Sequence, residues 1–168
     1  GVQVWATDLW ISATDNLERI QEAGVSDRVF PIHADAHDLP YAGKFFDAIV
    51  CVDAYIYFGT DDLYLDYMHR LVKPGGQIGI AVPGFMQELD GPLPEHLIPF
   101  WAQECWTWHT AKWWERHWSR TGLVDVEVSE TMPDGWSIWL QWYKARAAAG
   151  DERESLKSDI RVLEEDKG

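Results

Sequence analysis

The chain has 168 residues, of which 46% are hydrophobic and 25% are charged. This length and composition support one sizeable core and exclude wholesale disorder. The net charge of −14 disfavours nucleic acid and anionic membrane surfaces as partners, because binding to either depends on Lys and Arg. A small neutral or cationic ligand is the expected partner.

Several classes of site and location are disfavoured by what the sequence lacks. Cys51 and Cys105 give neither a disulfide framework nor a metal-ligand pattern. His37, His96 and His117 have no metal-ligand spacing, so we expect no metal site. A signal-peptide pattern and a run of about 18 apolar residues are both missing, which favours a cytoplasmic protein without membrane partners.

Strands and helices alternate in the first half of the chain. The predicted elements are a strand over 2–6 that ends in a polar tip at Asp8, a helix from Ser12 to Gly24, a strand over 28–33, a strand over 48–52, a helix from Thr60 to Leu71, a turn at Pro74-Gly75-Gly76 and a strand over 77–82. Pro31 favours an edge position for its strand. The apolar run 48–52 is typical of a strand buried on both faces. This alternation predicts a parallel sheet with helices on its faces.

The second half is richer in tryptophan, with seven of the eleven tryptophans between Trp106 and Trp139. The predicted elements are a loop with a short helical piece over 84–104, a helix over 110–120, a strand over 124–128, a helix over 135–149 and a charged amphipathic helix from residue 151. We expect one α/β domain over residues 1–150 with a Trp-rich helical insertion at 84–122. Residues 151–168 are expected to belong to this domain or to form a tail.

Asp8 is the first candidate for a binding residue. It follows the first predicted strand, at the edge of the sheet where ligands bind in such folds. An acid at this position can accept hydrogen bonds from both ribose hydroxyls of an adenosine cofactor. The alternative is a turn or helix-capping aspartate, and the same acid would serve a nicotinamide cofactor equally well.

Three phrases then occur in a fixed order, and they carry a family resemblance. They are Ala34-Asp35-Ala36-His37-Asp38-Leu39-Pro40-Tyr41, Phe46-Asp47-Ala48-Ile49-Val50 and Leu71-Val72-Lys73-Pro74-Gly75-Gly76. Together they resemble the class I S-adenosylmethionine-dependent methyltransferases over roughly residues 2–83. The resemblance implies a doubly wound, mostly parallel sheet with helices on both faces. It also implies that S-adenosyl-L-methionine is the cofactor and that a small molecule is methylated on nitrogen or oxygen.

The resemblance also implies a set of cofactor-binding residues. They are Asp8 for the ribose, Leu9 and Trp10 on either side of the adenine, Asp35 and Ala36 at the adenine edge, and Asp53 near the cofactor's amino group. A carboxylate suits the adenine edge because it accepts hydrogen bonds from an exocyclic amine. Taken without the family, an aspartate beside Leu39 and Pro40 would more often be a turn residue.

The reacting centre is predicted from aromatic residues and one histidine. Tyr55 and Tyr57 follow the strand over 48–52, with Tyr55 as a catalytic candidate and Tyr57 as a substrate contact. Trp106 and Trp108 are further substrate candidates, because aromatic faces attract a sulfonium carbon and a cationic amine. His109 is the candidate general base. The competing interpretation is that the tryptophans pack in the core and that the histidine is solvated or caps a helix.

Two departures from the family pattern raise alternatives. The family's glycine-rich loop and central strand would precede Gly1. Residues 124–128 can be the first strand of the family's closing hairpin, but no later segment alternates like the second strand. We therefore expect the sequence to be trimmed from a longer chain, and a sheet without its middle strand to pair with another copy as a homodimer. The alternative function is a non-catalytic binding module for a small molecule or nucleotide. A nicotinamide-linked oxidoreductase is a third hypothesis.

Overall fold

The computed structural model describes residues 1–166, apart from the side chains of residues 154 and 166. The strands are β1 (Val4–Asp8), β2 (Val29–His33), β3 (Phe46–Val52) and β4 (Val72–Ala81). The helices are α1 (Ala13–Glu22), α2 (Tyr64–His69), α3 (Ala111–Ser119), α4 (Gly135–Ala148) and α5 (Glu154–Asp166). Short 3₁₀ helices cover Tyr55–Tyr57, Glu95–Phe100 and Gln103–Thr107. The helix predicted from residue 151 corresponds to α5, which begins at Glu154, and its last two predicted residues, 167 and 168, lie outside the described part.

The strands pair two by two. β1 is parallel to β2, and the register runs from Val4 opposite Val29 to Asp8 opposite His33. β3 pairs with β4 in a second two-stranded sheet. Because parallel strands end at the same edge, the register places Asp8 and the residues after His33 side by side. Both strands of a two-stranded sheet are edge strands, so this pairing is compatible with the edge position that Pro31 predicts for β2 but does not single it out.

Helix α1 begins and ends where the sequence indicates. The Ser12 hydroxyl accepts a hydrogen bond from the Asp15 backbone N–H at 3.1 Å, as an N-cap residue does. After the helix, Gly24 adopts a φ of 68°, and its N–H donates to the Gln21 carbonyl at 2.9 Å. A positive φ favours glycine because it has no β-carbon, so Gly24 ends the helix cleanly.

The chain divides into two compact units, of which the first comprises Gly1–Asp47 and Arg70–Gly76. An aromatic cluster holds this first unit together. The ring of Phe45 lies 5.0 Å from that of Trp5 and 4.9 Å from that of Phe46. Edge-to-face geometry of this kind adds to the free energy gained by burying aromatic surface.

The second unit comprises Ala48–His69 and Gln77–Gly168. Tyr55, Leu65 and Leu156 are its largest fully buried side chains. The ring of Tyr55 lies 5.6 Å from that of Trp114 and 5.7 Å from that of Trp118. These two tryptophans of α3 therefore pack around a buried tyrosine, as the core interpretation predicts.

The prediction that the strand over 48–52 is buried on both faces is wrong. Val50 is 75% exposed and Val52 is 68% exposed. The two side chains lie on the same face of β3, because successive residues of a strand point to opposite faces. The apolar run therefore marks a strand, but among the described residues nothing covers this face of it.

Three predicted boundaries also differ from the structure. Pro74-Gly75-Gly76 lies inside β4, where Gly75 takes a φ of 78°, and is not a separate turn before the strand. α2 begins at Tyr64 because residues 60–63 form turns instead of a first helical turn. Residues 124–128 do not form a strand. An alternating pattern supplies side chains for a sheet face, but a strand also needs a neighbouring strand for its backbone hydrogen bonds.

Candidate functional site

In the first unit, Asp8 stands at the carboxyl end of β1. Its Oδ1 accepts hydrogen bonds from the backbone N–H groups of Trp10 at 2.7 Å and Ile11 at 2.9 Å. The turn role considered for Asp8 is therefore present. A carboxylate has about four acceptor positions on two oxygens, so binding a ribose is compatible with that role.

An open groove of about 290 Å³ lies between β1 and α1, and Asp8 is part of its lining. Other groove residues include Thr7 on the strand and Asn16 and Arg19 on the helix. The remaining predicted cofactor residues do not line this groove. The groove therefore marks the helix side of Asp8 and not an enclosed cofactor pocket.

Leu9 and Trp10 follow Asp8 and are both exposed, Trp10 at 76%. The carbonyl of Leu9 is 2.8 Å from Nε2 of His33, the last residue of β2. This contact ties the loop after β1 to the end of β2. It leaves two apolar side chains at the surface beside Asp8, where a flat heterocycle can cover them.

Asp35 lies just beyond β2, at the same edge as Asp8. The N–H of Ala34 donates to the carbonyl of Asp8 at 3.1 Å. Asp35 Oδ1 accepts from the backbone N–H of His37 at 2.8 Å and lies 2.8 Å from Nδ1 of the same residue. These two hydrogen bonds, the backbone one first, hold the pKa of Asp35 below its ordinary value. The structure thus gathers Asp8, Leu9, Trp10, Asp35 and Ala36 at the ends of two paired strands.

In the second unit, Asp53 and the two tyrosines separate into different environments. Asp53 follows β3 with a φ of 57°, and partial burial raises the pKa of its carboxyl group. Tyr57 is 52% exposed; partial burial, Glu104 and Asp53 raise the pKa of its phenol. Tyr55 is fully buried, and burial raises its pKa strongly. Its hydroxyl makes no hydrogen bond of good geometry among the described residues.

His109, the predicted base, belongs to a hydrogen-bonded cluster in the second unit. Its Nδ1 is 3.0 Å from Oε2 of Glu88. Its ring stacks on that of Trp113, with 3.7 Å between centroids and 7° between planes. Both the histidine and the glutamate are about three-quarters buried, with 23% and 24% of their side chains exposed.

Glu88 is the residue of this cluster that the sequence did not reveal. Its Oε1 accepts hydrogen bonds from the backbone N–H of Thr110 at 2.7 Å and from the hydroxyl of Thr110 at 2.7 Å. Partial burial raises the pKa of Glu88, but the hydrogen bonds from His109 and Thr110 outweigh it and leave the pKa below its ordinary value. The sequence spacing does not predict a contact between residues 88 and 109, because loops and short 3₁₀ helices separate them instead of one regular helix or strand pair.

The remaining predicted substrate residues differ in access. Trp106 is exposed. Trp108 packs between Phe85, at 5.6 Å between ring centroids, and Trp139, at 5.7 Å. Trp106 is thus available to a ligand, while Trp108 supports its neighbours.

Within the part of the chain that the structure describes, no cluster of His, Cys, Asp and Glu could hold a metal ion. The helices in that part are also too short or too polar to cross a membrane.

Comparison with known proteins gives sequence relatives that are named as methyltransferases. Residues 1–80 match the family described as a methyltransferase domain. The chain is similar to erythromycin 3''-O-methyltransferase from Saccharopolyspora erythraea, with 23% identity over 154 residues that cover 87% of this chain and 49% of that protein. It is also similar to methyltransferase GfsG from Streptomyces halstedii, with 38% identity over 64 residues that cover 38% of this chain and 23% of that protein. The chain therefore spans less than half the length of these curated relatives.

Solved structures extend the likeness to the whole chain. Phosphoethanolamine N-methyltransferase 2 from Haemonchus contortus, in complex with S-adenosyl-L-methionine, has a TM-score of 0.74 and 22% identity, covering 99% of this chain and 40% of that one. The chain has the class I methyltransferase fold. Geranyl diphosphate C-methyltransferase from Streptomyces coelicolor agrees, with a TM-score of 0.68 and 17% identity over 98% of this chain and 59% of that one. The resemblance seen in the three phrases is thereby confirmed, together with the predicted α/β fold class.

The methyltransferase match divides the predicted site into two groups. The cofactor candidates from Asp8 to Asp53 all lie within the matched residues 1–80. Trp106, Trp108 and His109 lie after the matched residues, in the tryptophan-rich part of the chain.

Proposed function

We propose that the protein transfers a methyl group from S-adenosyl-L-methionine to a nitrogen or oxygen of a small molecule. The observation that carries the proposal is the register of β1 and β2, which sets Asp8 and Asp35 at the same sheet edge. The match of residues 1–80 to the methyltransferase domain supports it independently. Three of the proteins named above are methyltransferases of small molecules by name.

The residues at the ends of β1 and β2 fit the adenosine half of the cofactor. Asp8 retains acceptor capacity for the ribose hydroxyls beyond the two backbone N–H groups that it binds. The lowered pKa of Asp35 keeps its carboxylate ionised as an acceptor for the adenine amino group, with Ala36 beside it. Exposed Leu9 and Trp10 offer apolar surface to the ring. When bound, the cofactor supplies an electrophilic methyl group on a sulfonium.

On the acceptor side, the proposal places Asp53, Tyr55, Tyr57, Trp106 and Trp108 near the reacting centre. The effect of Asp53 on the pKa of Tyr57 supports placing these two near each other. A carboxylate beside aromatic rings suits an amine or another cationic group. Tyr55 is fully buried, so its hydroxyl must become accessible to the acceptor if it is to act in catalysis.

His109 is proposed as the general base. Methyl transfer to a hydroxyl or to a protonated amine requires removal of a proton, and histidine exchanges protons near neutral pH. Its partial burial and stacking on Trp113 hold the ring in one plane. Holding a base in place lowers the entropy lost on reaching the transition state.

Calorimetric titration of the protein with S-adenosylhomocysteine tests the cofactor half of the proposal. We expect saturable binding, and no detectable heat from a folded protein would contradict it. Transfer of a radiolabelled methyl group to a panel of alcohols, phenols and amines tests the second half. Binding without transfer to any member would favour the non-catalytic module instead.

Cytoplasmic location, absence of a nucleic-acid partner and formation of a homodimer stay predictions. Light scattering of the purified protein measures the third directly. The net charge of −14 supports the second, because nucleic acid repels a protein that is this acidic.

A further inference from the structure

We propose that Glu88 is a positioning residue that holds His109 in the one neutral tautomer able to act as a base through Nε2. The inference rests on the proposed methyl transfer for its chemical meaning. The tautomer itself follows from hydrogen bonds in the second unit. It names the residue that orients the base, and it suits a methyl acceptor that loses a proton.

The hydrogen-bond donors around Glu88 decide which nitrogen of His109 carries the proton. The backbone N–H of Thr110 has no acceptor capacity, so Oε1 of Glu88 must accept from it at 2.7 Å. Oε2 of the same carboxylate then faces Nδ1 of His109 at 3.0 Å. An ionised carboxylate only accepts hydrogen bonds, so Nδ1 carries the proton and Nε2 carries the lone pair.

The ionisation of Glu88 supports the same tautomer. Its pKa lies below the ordinary glutamate value, because the hydrogen bonds from His109 and Thr110 outweigh the effect of burial. At neutral pH the carboxylate is therefore ionised and has no proton to give to Nδ1. This agrees with the assignment made from the donors alone.

The residues around His109 also fix the orientation of its ring. The hydroxyl of Thr110 donates to Glu88 at 2.7 Å. It also accepts a hydrogen bond from the backbone N–H of Trp113 at 3.2 Å, and this second bond caps α3. The ring of His109 stacks on Trp113 itself. Turning the imidazole by 180° in its own plane would break the Glu88 contact, and turning it out of that plane would break the stack. The orientation is thus set by the same residues that begin the helix.

Methyl transfer forms one bond to the methyl carbon, breaks another and moves one proton. A lone pair on the acceptor oxygen or nitrogen forms a bond to the methyl carbon as the carbon–sulfur bond breaks. The electron pair of that bond stays on sulfur, which becomes a neutral thioether. A hydroxyl loses its proton during the transfer, whereas an ammonium group must lose one before it so that its nitrogen has a lone pair. In both cases the proton moves to Nε2 of His109, and the resulting imidazolium would be stabilised by the carboxylate of Glu88.

The test is nitrogen NMR of the six histidines, recorded at about pH 8.5, well above the reference pKa of free imidazole. The His109 signals are assigned by their loss in His109→Gln. We expect a protonated Nδ1 and an unprotonated Nε2 for His109 in the wild type. A protonated Nε2 there would overturn the inference, and this measurement needs no variant of Glu88 to fold.

A matched pair of variants sharpens the result. In Glu88→Gln the two Thr110 donors retain the amide oxygen, so the amide NH₂ group faces Nδ1 and should switch His109 to the other tautomer. Glu95→Gln, at an exposed position of the second unit, should leave the tautomer as it is. Unchanged His109 signals in a folded Glu88→Gln protein would also overturn the inference.

Titration with S-adenosylhomocysteine separates this inference from the proposed function. The expected tautomer in a protein that does not bind S-adenosylhomocysteine would support the Glu88 contact and contradict methyl transfer. Binding of S-adenosylhomocysteine together with a protonated Nε2 would contradict the role of Glu88 and leave methyl transfer intact.

Discussion

Gly84 packs directly against the backbone carbonyl of His109, so closely that a β-carbon at position 84 would overlap the oxygen. Backbone yields less readily than a flexible side chain, so Gly84→Ala must shift the segment that carries His109. We expect the free energy of unfolding to fall by about 1–3 kcal/mol, as overpacking commonly costs. Urea denaturation measures this loss.

The control for this substitution is Gly91→Ala. A β-carbon at Gly91 meets no atom within 4 Å, and the change should leave stability within about 0.5 kcal/mol or raise it slightly. Equal loss in both variants would show that the contact between Gly84 and His109 does not matter for stability.

The buried hydroxyl of Tyr55 gives a prediction of the opposite sign. The ring is fully buried, and the indole of Trp118 lies close enough to the hydroxyl to lower its pKa, but the hydroxyl makes no hydrogen bond of good geometry among the described residues. Leaving a buried polar group unsatisfied costs about 1–3 kcal/mol, so Tyr55→Phe should raise the free energy of unfolding by about 1 kcal/mol. Urea denaturation of Tyr55→Phe and of exposed Tyr57→Phe compares the two sites.

The same variant tests the catalytic role predicted for Tyr55. If the hydroxyl takes part in the reaction, Tyr55→Phe lowers kcat for any acceptor that the methyl-transfer panel identifies. A more stable protein with unchanged kcat would leave Tyr55 as a packing residue only. A less stable protein would show that the hydroxyl has a partner after all.

His117 predicts a pH dependence of stability. It is buried against Trp113, with 4.6 Å between ring centroids. Burial lowers its pKa from 6.5, and Arg120 adds to this, while Asp62 and a hydrogen bond to the Gly59 backbone act the other way. The folded protein therefore binds the proton less well than the unfolded chain, so His117 favours folding above about pH 6.5 and loses this contribution as the pH falls.

Urea denaturation at about pH 7.5 and about pH 5 checks the sign of this effect. The wild type should lose more stability on acidification than His117→Gln does, because only the wild type must protonate or unfold this imidazole. A pH dependence that His117→Gln leaves unchanged would contradict the burial argument.

The sequence predicts local features best where one residue decides the backbone. Ser12 and Gly24 mark the two ends of α1 through a cap and a positive φ, and Thr110 does the same for the start of α3. The position of the cofactor candidates at strand ends could be predicted, because Asp8 ends β1 and the others follow β1, β2 or β3 within a few residues; their role stays a prediction. Such features need no knowledge of distant contacts.

The rest depends on contacts between segments far apart in the chain. The exposure of Val50 and Val52 follows from what covers β3, which an apolar run cannot reveal. Among the residues that the structure describes, no strand pairs with the alternating residues 124–128. Glu88 contacts His109, which lies 21 residues later in the sequence. The segment between them consists of loops and short 3₁₀ helices, so no periodicity in the sequence predicts this contact.

Binding and turnover should separate between Asp8 and His109. Asp8→Asn keeps an oxygen for the Trp10 and Ile11 N–H groups but removes the charge that would accept ribose hydroxyls. Since hydrogen bonds to charged groups contribute about 1.5–3 kcal/mol, S-adenosylhomocysteine should bind at least about tenfold more weakly. Asp27→Asn, at an exposed position of the first unit, is the control for the change of charge.

His109→Gln should leave this affinity unchanged and lower kcat by about 10²–10⁴, the usual contribution of a general base. Calorimetry measures the affinity, and release of S-adenosylhomocysteine with an accepted alcohol or amine measures kcat. Because Asp8 lies at the end of β1 and His109 packs on α3, the two losses have independent structural causes. Equal weakening of binding in both variants would mean that His109 holds the cofactor, and the division of roles would have to be abandoned.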